Sequence, residues 1–148
     1  MGGNPIGSVS LQQMLDGLGS SNGLQELNLN RTNPFFHASM NFSCIINKTI
    51  QNKGQNLLII DLSQNLLGDQ AAISILQSLC ALEKLKSLSL SGNHLGDKFL
   101  ATISLNNFRS KHLRLLDISE NTFLQAELLE RLVYFSPGIR LSALIIDV

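Results

Sequence analysis

The chain has 148 residues, 44% hydrophobic and 15% charged, which fits one globular domain able to bury a core. Eleven basic and eleven acidic residues cancel, so no global field selects nucleic acid or an anionic membrane surface as a direct partner. No apolar run reaches the roughly 18 residues of a spanning helix, Cys44 and Cys80 form neither a disulfide framework nor a CxxC pair, and no basic n-region precedes an apolar h-region at the N-terminus, so the expected setting is cytoplasmic or nuclear.

In chain order, the first signal is "NPIG" (Asn4 to Gly7), whose pattern returns as "NLLG" (Asn65 to Gly68) and "NHLG" (Asn93 to Gly96). Leu11, Met14, Leu15 and Leu18 follow at helical spacing. From Leu24, "LQELNLNRT" reads as a short strand and turn. The stretch 33–56 carries Phe35, Phe36, Met40, Phe42, Ile45 and Ile46 and predicts a helix from about Ala38 to Ile50, then a polar loop at "QNKGQN". "LLIIDLSQNLL" (57–67), "LKSLSLSGNHL" (85–95) and "LRLLDISENTF" (113–123) then align without gaps, their first leucines 28 residues apart. "LSALIIDV" begins another copy at Leu141, 28 further on. Leu24 to Leu57 is 33 residues, so the repeat from Leu24 holds five more, expected as an insertion on the helical side or a bulge used in binding. Thr32 takes the Asn slot of that repeat, and 28 residues before it stands Asn4. The opening segment is therefore in phase, and the chain reads as a piece of a longer array or a shortened gene model.

Leu57, Ile60, Leu62, Asn65 and Leu67, repeated as Leu85, Leu88, Leu90, Asn93 and Leu95 and as Leu113, Leu116, Ile118, Asn121 and Phe123, resemble leucine-rich repeats of the long, ribonuclease-inhibitor-like type. The resemblance implies an α/β fold: a curved solenoid with a parallel concave sheet and a helix on the convex side of every repeat. It sets the organisation as one domain over 1–148, with a partial repeat 1–23, repeats from 24, 57, 85 and 113, and a terminal strand 141–148.

The spacing carries physical expectations of its own. In each short strand the two aliphatic residues share one face and point into the core. The Asn that follows should bond turn backbone and stack into a ladder between repeats. Gly68 and Gly96 suit the turn, and Asp69 and Asp97 are placed to cap the next helix. Ala72, Ile75, Leu76 and Leu79 have helical spacing, as do Leu128, Leu132 and Phe135 before "SPG". Cys44 and Cys80 are expected as small apolar fillers.

Catalytic chemistry finds no carrier. His37, His94 and His112 lie on different repeats without ligand spacing, and neither G-x-S-x-G, GxxxxGK[ST] nor H-E-x-x-H occurs. No enzyme activity, metal or cofactor is expected. The N-x-[ST] matches at Asn30, Asn41 and Asn47 read as chance in an Asn-rich chain.

Surfaces remain. The residues between core leucines predict three columns on the concave face: Glu26, Ile59, Ser87, Leu115 and Ala143; Asn28, Asp61, Ser89, Asp117 and Ile145; Asn30, Ser63, Ser91, Ser119 and Asp147. Their charges are all acidic, with Glu120 just beyond. A basic rim gathers at the strand entrances, with Lys84, His112 and Arg140 at one repeat position and Lys86 and Arg114 at another. The expected function is a non-catalytic protein-interaction module, a scaffold or adaptor, binding a basic or polar protein segment on the concave face. The alternatives are an enzyme or GTPase regulator, or the repeat region of an intracellular immune receptor or of a Tonsoku-like replication-repair scaffold. A secreted receptor ectodomain is set aside for want of a signal and cysteine-rich caps.

Overall fold

In the computed structural model the described residues are 3–17, 23–33, 39–105, 112–125 and 143–145. They form helix α1 (Ser8–Gly17), strand β1 (Glu26–Asn28), α2 (Ser39–Lys53), a 3-10 turn (Gly54–Asn56), β2 (Ile59–Asp61), α3 (Gly68–Leu79), β3 (Ser87–Ser89), α4 (Asp97–Leu105), β4 (Leu115–Asp117) and β5 (Ala143–Ile145). The strands make one parallel sheet in sequence order, β1-β2-β3-β4-β5. Parallel neighbours require a crossover, and α2, α3 and α4 supply it from β1 to β2, β2 to β3 and β3 to β4.

The register follows the repeat. Leu27, Ile60, Leu88, Leu116 and Leu144 are paired in one row across the sheet. Strands of three residues are short because only the central one faces the core while its neighbours look outward. Leu57, Ile60 and Leu62 are fully buried, as are Leu85, Leu88, Leu90, Leu113 and Leu116. The helices pack behind them in order, α1 on α2, α2 on α3 and α3 on α4. Their apolar stripes join the same core: Leu11 and Leu15 from α1, Ile46 and Ile50 from α2, Ile75 and Leu79 from α3, Phe99 and Leu100 from α4.

The expected asparagine ladder is present. Asn65 Oδ1 accepts the backbone N–H of Thr32 and Asn33, while its amide nitrogen donates to the carbonyls of Leu29, Leu62 and Ser63. Asn93 and Asn121 repeat the arrangement one and two repeats on. Each amide satisfies buried backbone groups that a turn between strand and helix would otherwise orphan. Thr32 fills its slot by donating its hydroxyl to Leu29 O at 2.7 Å. The opening segment also keeps phase. Gly3 N donates to Asn30 O, as Arg31 N does to Ser63 O, Gln64 N to Ser91 O and Gly92 N to Ser119 O. All four of these donors have positive φ.

Several expectations are corrected. "QNKGQN" is not a loop: α2 runs to Lys53 and a 3-10 turn continues to Asn56. The longer repeat therefore puts its extra residues on the helical side, where buried Gly54 lies against Leu82 so closely that a Cβ would overlap its side chain. Lys53 Nζ donates to the carbonyls of Leu15 and Asp16, closing the C-terminal end of α1 where a cation is favoured. Asp69 makes no side-chain cap on its own helix. Asp69 Oδ1 accepts Gly96 N at 2.7 Å, and Asp97 Oδ1 accepts Leu124 N at 2.9 Å, so each ties a first helical turn to the next repeat. Cys44 and Cys80 are exposed, because α2 turns Met40, Cys44 and Lys48 outward and Cys80 lies just past α3. Leu18, Phe35, Phe36, His37, Leu128, Leu132, Phe135, Arg140, Leu141 and Asp147 lie outside the described residues.

Candidate functional site

Helices pack against one face of the sheet; on the other, the side chains flanking the core residues of β1 to β4 are exposed or half-buried. The register aligns Glu26, Ile59, Ser87, Leu115 and Ala143 in one row and Asn28, Asp61, Ser89, Asp117 and Ile145 in a second. Both predicted rows therefore exist as neighbours on adjacent strands. Ile59 on β2, one strand in from the edge, is 42% exposed, an aliphatic side chain held in water. Glu26 is exposed beside it, and Ser87 and Leu115 are half-buried.

In the second row the carboxylates are held, not loose. Asp61 Oδ1 accepts Ser63 N at 3.0 Å and the Ser63 hydroxyl at 2.6 Å. Asp117 Oδ1 does the same with Ser119, at 3.1 and 2.6 Å. Asn28 Oδ1 accepts Asn30 N at 3.2 Å, the neutral version of the same turn. Ser89 donates its hydroxyl toward Asp117 Oδ2 at 3.3 Å. An Asx turn at the strand exit explains why an Asp or Asn recurs at this position, a signal that charge alone does not convey.

The third predicted row is only partly open. Asn30 and Ser63 are half-buried, but Ser91 and Ser119 are buried, with Ser119 Oγ donating to Ser91 Oγ at 3.1 Å. The chain has already turned toward the helices there, so these hydroxyls face each other and not solvent. Beyond them, Gln64 Nε2 reaches Glu120 Oε2 at 2.5 Å, two repeats away. It passes over Gly92, where a Cβ would overlap the Gln64 amide. The bridge joins residues 56 apart in the chain, and no pattern within one repeat encodes it.

At the other end of the strands, Lys84, Lys86, His112 and Arg114 are exposed, while Arg140 lies outside the described residues. Lys84 Nζ is engaged by Asn56 Oδ1 at 2.6 Å. Backbone bonds fix the spacing of the other pair: Lys86 N donates to Leu58 O, and Arg114 N donates to Lys86 O. Exposed Lys86 and Arg114 thus stand at the strand entrances, ahead of the row that holds Ile59 and Leu115 and the row that holds Asp61 and Asp117. Among the described residues no group of three or more His, Cys, Asp or Glu could hold a metal ion, and no helix is long and apolar enough to cross a membrane.

No protein-family model matches the chain. Seventy residues are 47% identical to Toll-like receptor 2 type-2 of Gallus gallus. The chain is homologous in part to a leucine-rich repeat protein. The match takes in 46% of this chain, which spans only 8% of that receptor's length. Among solved structures, leiomodin-1 actin-binding site 2 superposes with a TM-score of 0.68 at 15% identity, over 93% of this chain and 78% of that one. The Mex67:Mtr2 subunits of Chaetomium give 0.53 at 17% identity, over 93% and 89%. At such identities the likeness is one of fold alone, an α/β arrangement compatible with leucine-rich repeats.

Proposed function

We propose that this chain is a non-catalytic protein-interaction module, a ribonuclease-inhibitor-like solenoid of leucine-rich repeats forming a single domain. A protein partner with a basic or polar segment docks on the open sheet face. The observation that carries the reading is the asymmetry of the sheet: its helical side is closed by a continuous core, while its other side leaves Ile59 exposed between Glu26 and the anchored Asp61. Local hydrogen bonds fix Asp61 and Asp117 in place, so a partner loses little side-chain freedom in meeting them. The module works in the cytoplasm or nucleus as part of a scaffold or adaptor.

The test is co-purification with paired variants. Asp61→Asn with Asp117→Asn removes both charges and keeps the Oδ1 acceptors of the turns. The partner should weaken and its binding should lose salt sensitivity. A partner indifferent to that pair but lost with Lys86→Gln and Arg114→Gln would move the site to the basic rim.

A second reading has the 70-residue likeness to a Toll-like receptor in its favour, namely that these repeats belong to a receptor. Fractionation of the tagged endogenous protein separates the two. Recovery with cytosol or nuclei supports the scaffold, and recovery with membranes supports the receptor.

A further inference from the structure

The open face has dimensions as well as charge. Asp61 and Asp117 stand two strands apart, as do Ile59 and Leu115, with Ser89 and Ser87 between them. Strand spacing places the members of each pair about 10 Å apart at the backbone. Lys86 and Arg114 immediately precede adjacent strands and are joined by a backbone bond, about 5 Å apart by the same spacing. From Arg114, just before β4, to Asp117 at its end is three residues, about 10 Å of extended chain from the basic to the acidic position.

These are the repeats of an α-helix. Residues i and i+7 rise by about 10.5 Å, residues i and i+3 or i+4 by about 4.5–6 Å, and the diameter with side chains is about 10–12 Å. An extended segment laid across the strands would rise about 6.8 Å from one face-down side chain to the next, which matches neither spacing. We infer that the occupant of this face is an amphipathic helix lying across the strands. Basic residues at i and i+7 along one flank meet Asp61 and Asp117. An aliphatic underside rests on Ile59 and Leu115, and acidic residues three or four apart on the other flank meet Lys86 and Arg114. The inference rests on the proposed use of the open face and adds what shape and pattern fit it.

The probe is a stapled helical peptide with lysines at i and i+7, leucines beneath, and glutamates four apart on the opposite flank. Two controls have the same composition: one broken by prolines, the other with lysines and glutamates exchanged. Binding is read from amide chemical shifts of the labelled protein. The stapled helix should perturb Ile59, Asp61, Leu115 and Asp117 and bind more tightly than either control. Asp61→Asn with Asp117→Asn should weaken it about three- to tenfold, as loss of two partly exposed charge pairs does. Equal binding of the proline-broken peptide at those residues overturns the helix and leaves the open face as the site. Absence of binding by the stapled peptide also overturns the helix. Binding that perturbs only helix-side residues, such as Cys44 or Gln77, overturns the helix on this face and the use of the face together.

Discussion

The side-chain oxygen of Asn93 accepts the backbone N–H of Asn65, 28 residues earlier in the chain, at 2.9 Å. One asparagine thereby locks two repeats at the point where strand becomes turn, and its own N–H is held in turn by Asn121 Oδ1 at 2.9 Å. Asn93 is fully buried, so no water replaces a lost partner. Asn93→Ala should destabilise by about 1–3 kcal/mol, the cost of leaving a buried polar group unsatisfied. Urea unfolding measures it, and a change within error of zero would mean the ladder is ornamental.

Leu90 lies three residues before that asparagine and is fully buried. Leu90→Ala should cost about 2–5 kcal/mol, the transfer and cavity terms of a large-to-small core change. Leu124, 88% exposed, serves as the internal control. Its truncation should move the unfolding midpoint little.

Gly92 has φ +61, and its Cβ would overlap the Gln64 amide. The second obstacle is the end of a flexible side chain and can move, whereas the first is backbone and cannot. Gly92→Ala should therefore cost about 1–2 kcal/mol, the left-handed penalty of an L-residue. The cost should persist in a Gln64→Ala background. Full relief there would assign the effect to crowding instead.

Asp61 serves the turn through one oxygen that an amide can replace. Asp61→Asn should leave the thermal midpoint nearly unchanged, while Asp61→Ala should cost about 0.5–1.5 kcal/mol, the usual net worth of a hydrogen bond. Equal effects of the two would show that the charge, not the Asx turn, is what the fold uses.

Cys44 and Cys80 are exposed. Both should react with a thiol reagent in the native protein at rates insensitive to mild denaturant. A lag that disappears only on unfolding would return them to the core.

The repeat register was legible because Leu57, Leu85 and Leu113 keep one phase and because burial of an aliphatic row admits no slip of a single residue. The open rows followed from the same alternation. The destinations of polar groups were not legible. Asp69 looks like a helix cap in the local sequence, but its acceptor site is taken by Gly96 N from the next repeat. Ser91 and Ser63 hold the same repeat position, yet Ser91 is buried, where the Ser119 hydroxyl of the next repeat reaches it, while Ser63 is half-buried and its hydroxyl donates to Asp61 of its own repeat. The residues Gln51, Asn52 and Lys53 read as loop by composition, yet they prolong α2, where Lys53 reaches the end of α1. Contacts between repeats decide these cases, and a pattern read along one repeat does not contain them.

Site-specific photo-crosslinking tests most directly whether the open face is where a partner docks. A photoreactive residue in place of Ser87, between Ile59 and Leu115 on the open face, is compared in cells with one in place of exposed Gln77 on α3. The account predicts one discrete protein adduct from position 87, diminished by Asp61→Asn with Asp117→Asn, and none of that species from position 77. An adduct formed from position 77 alone, or equally from both and unaffected by the charge removal, would contradict it.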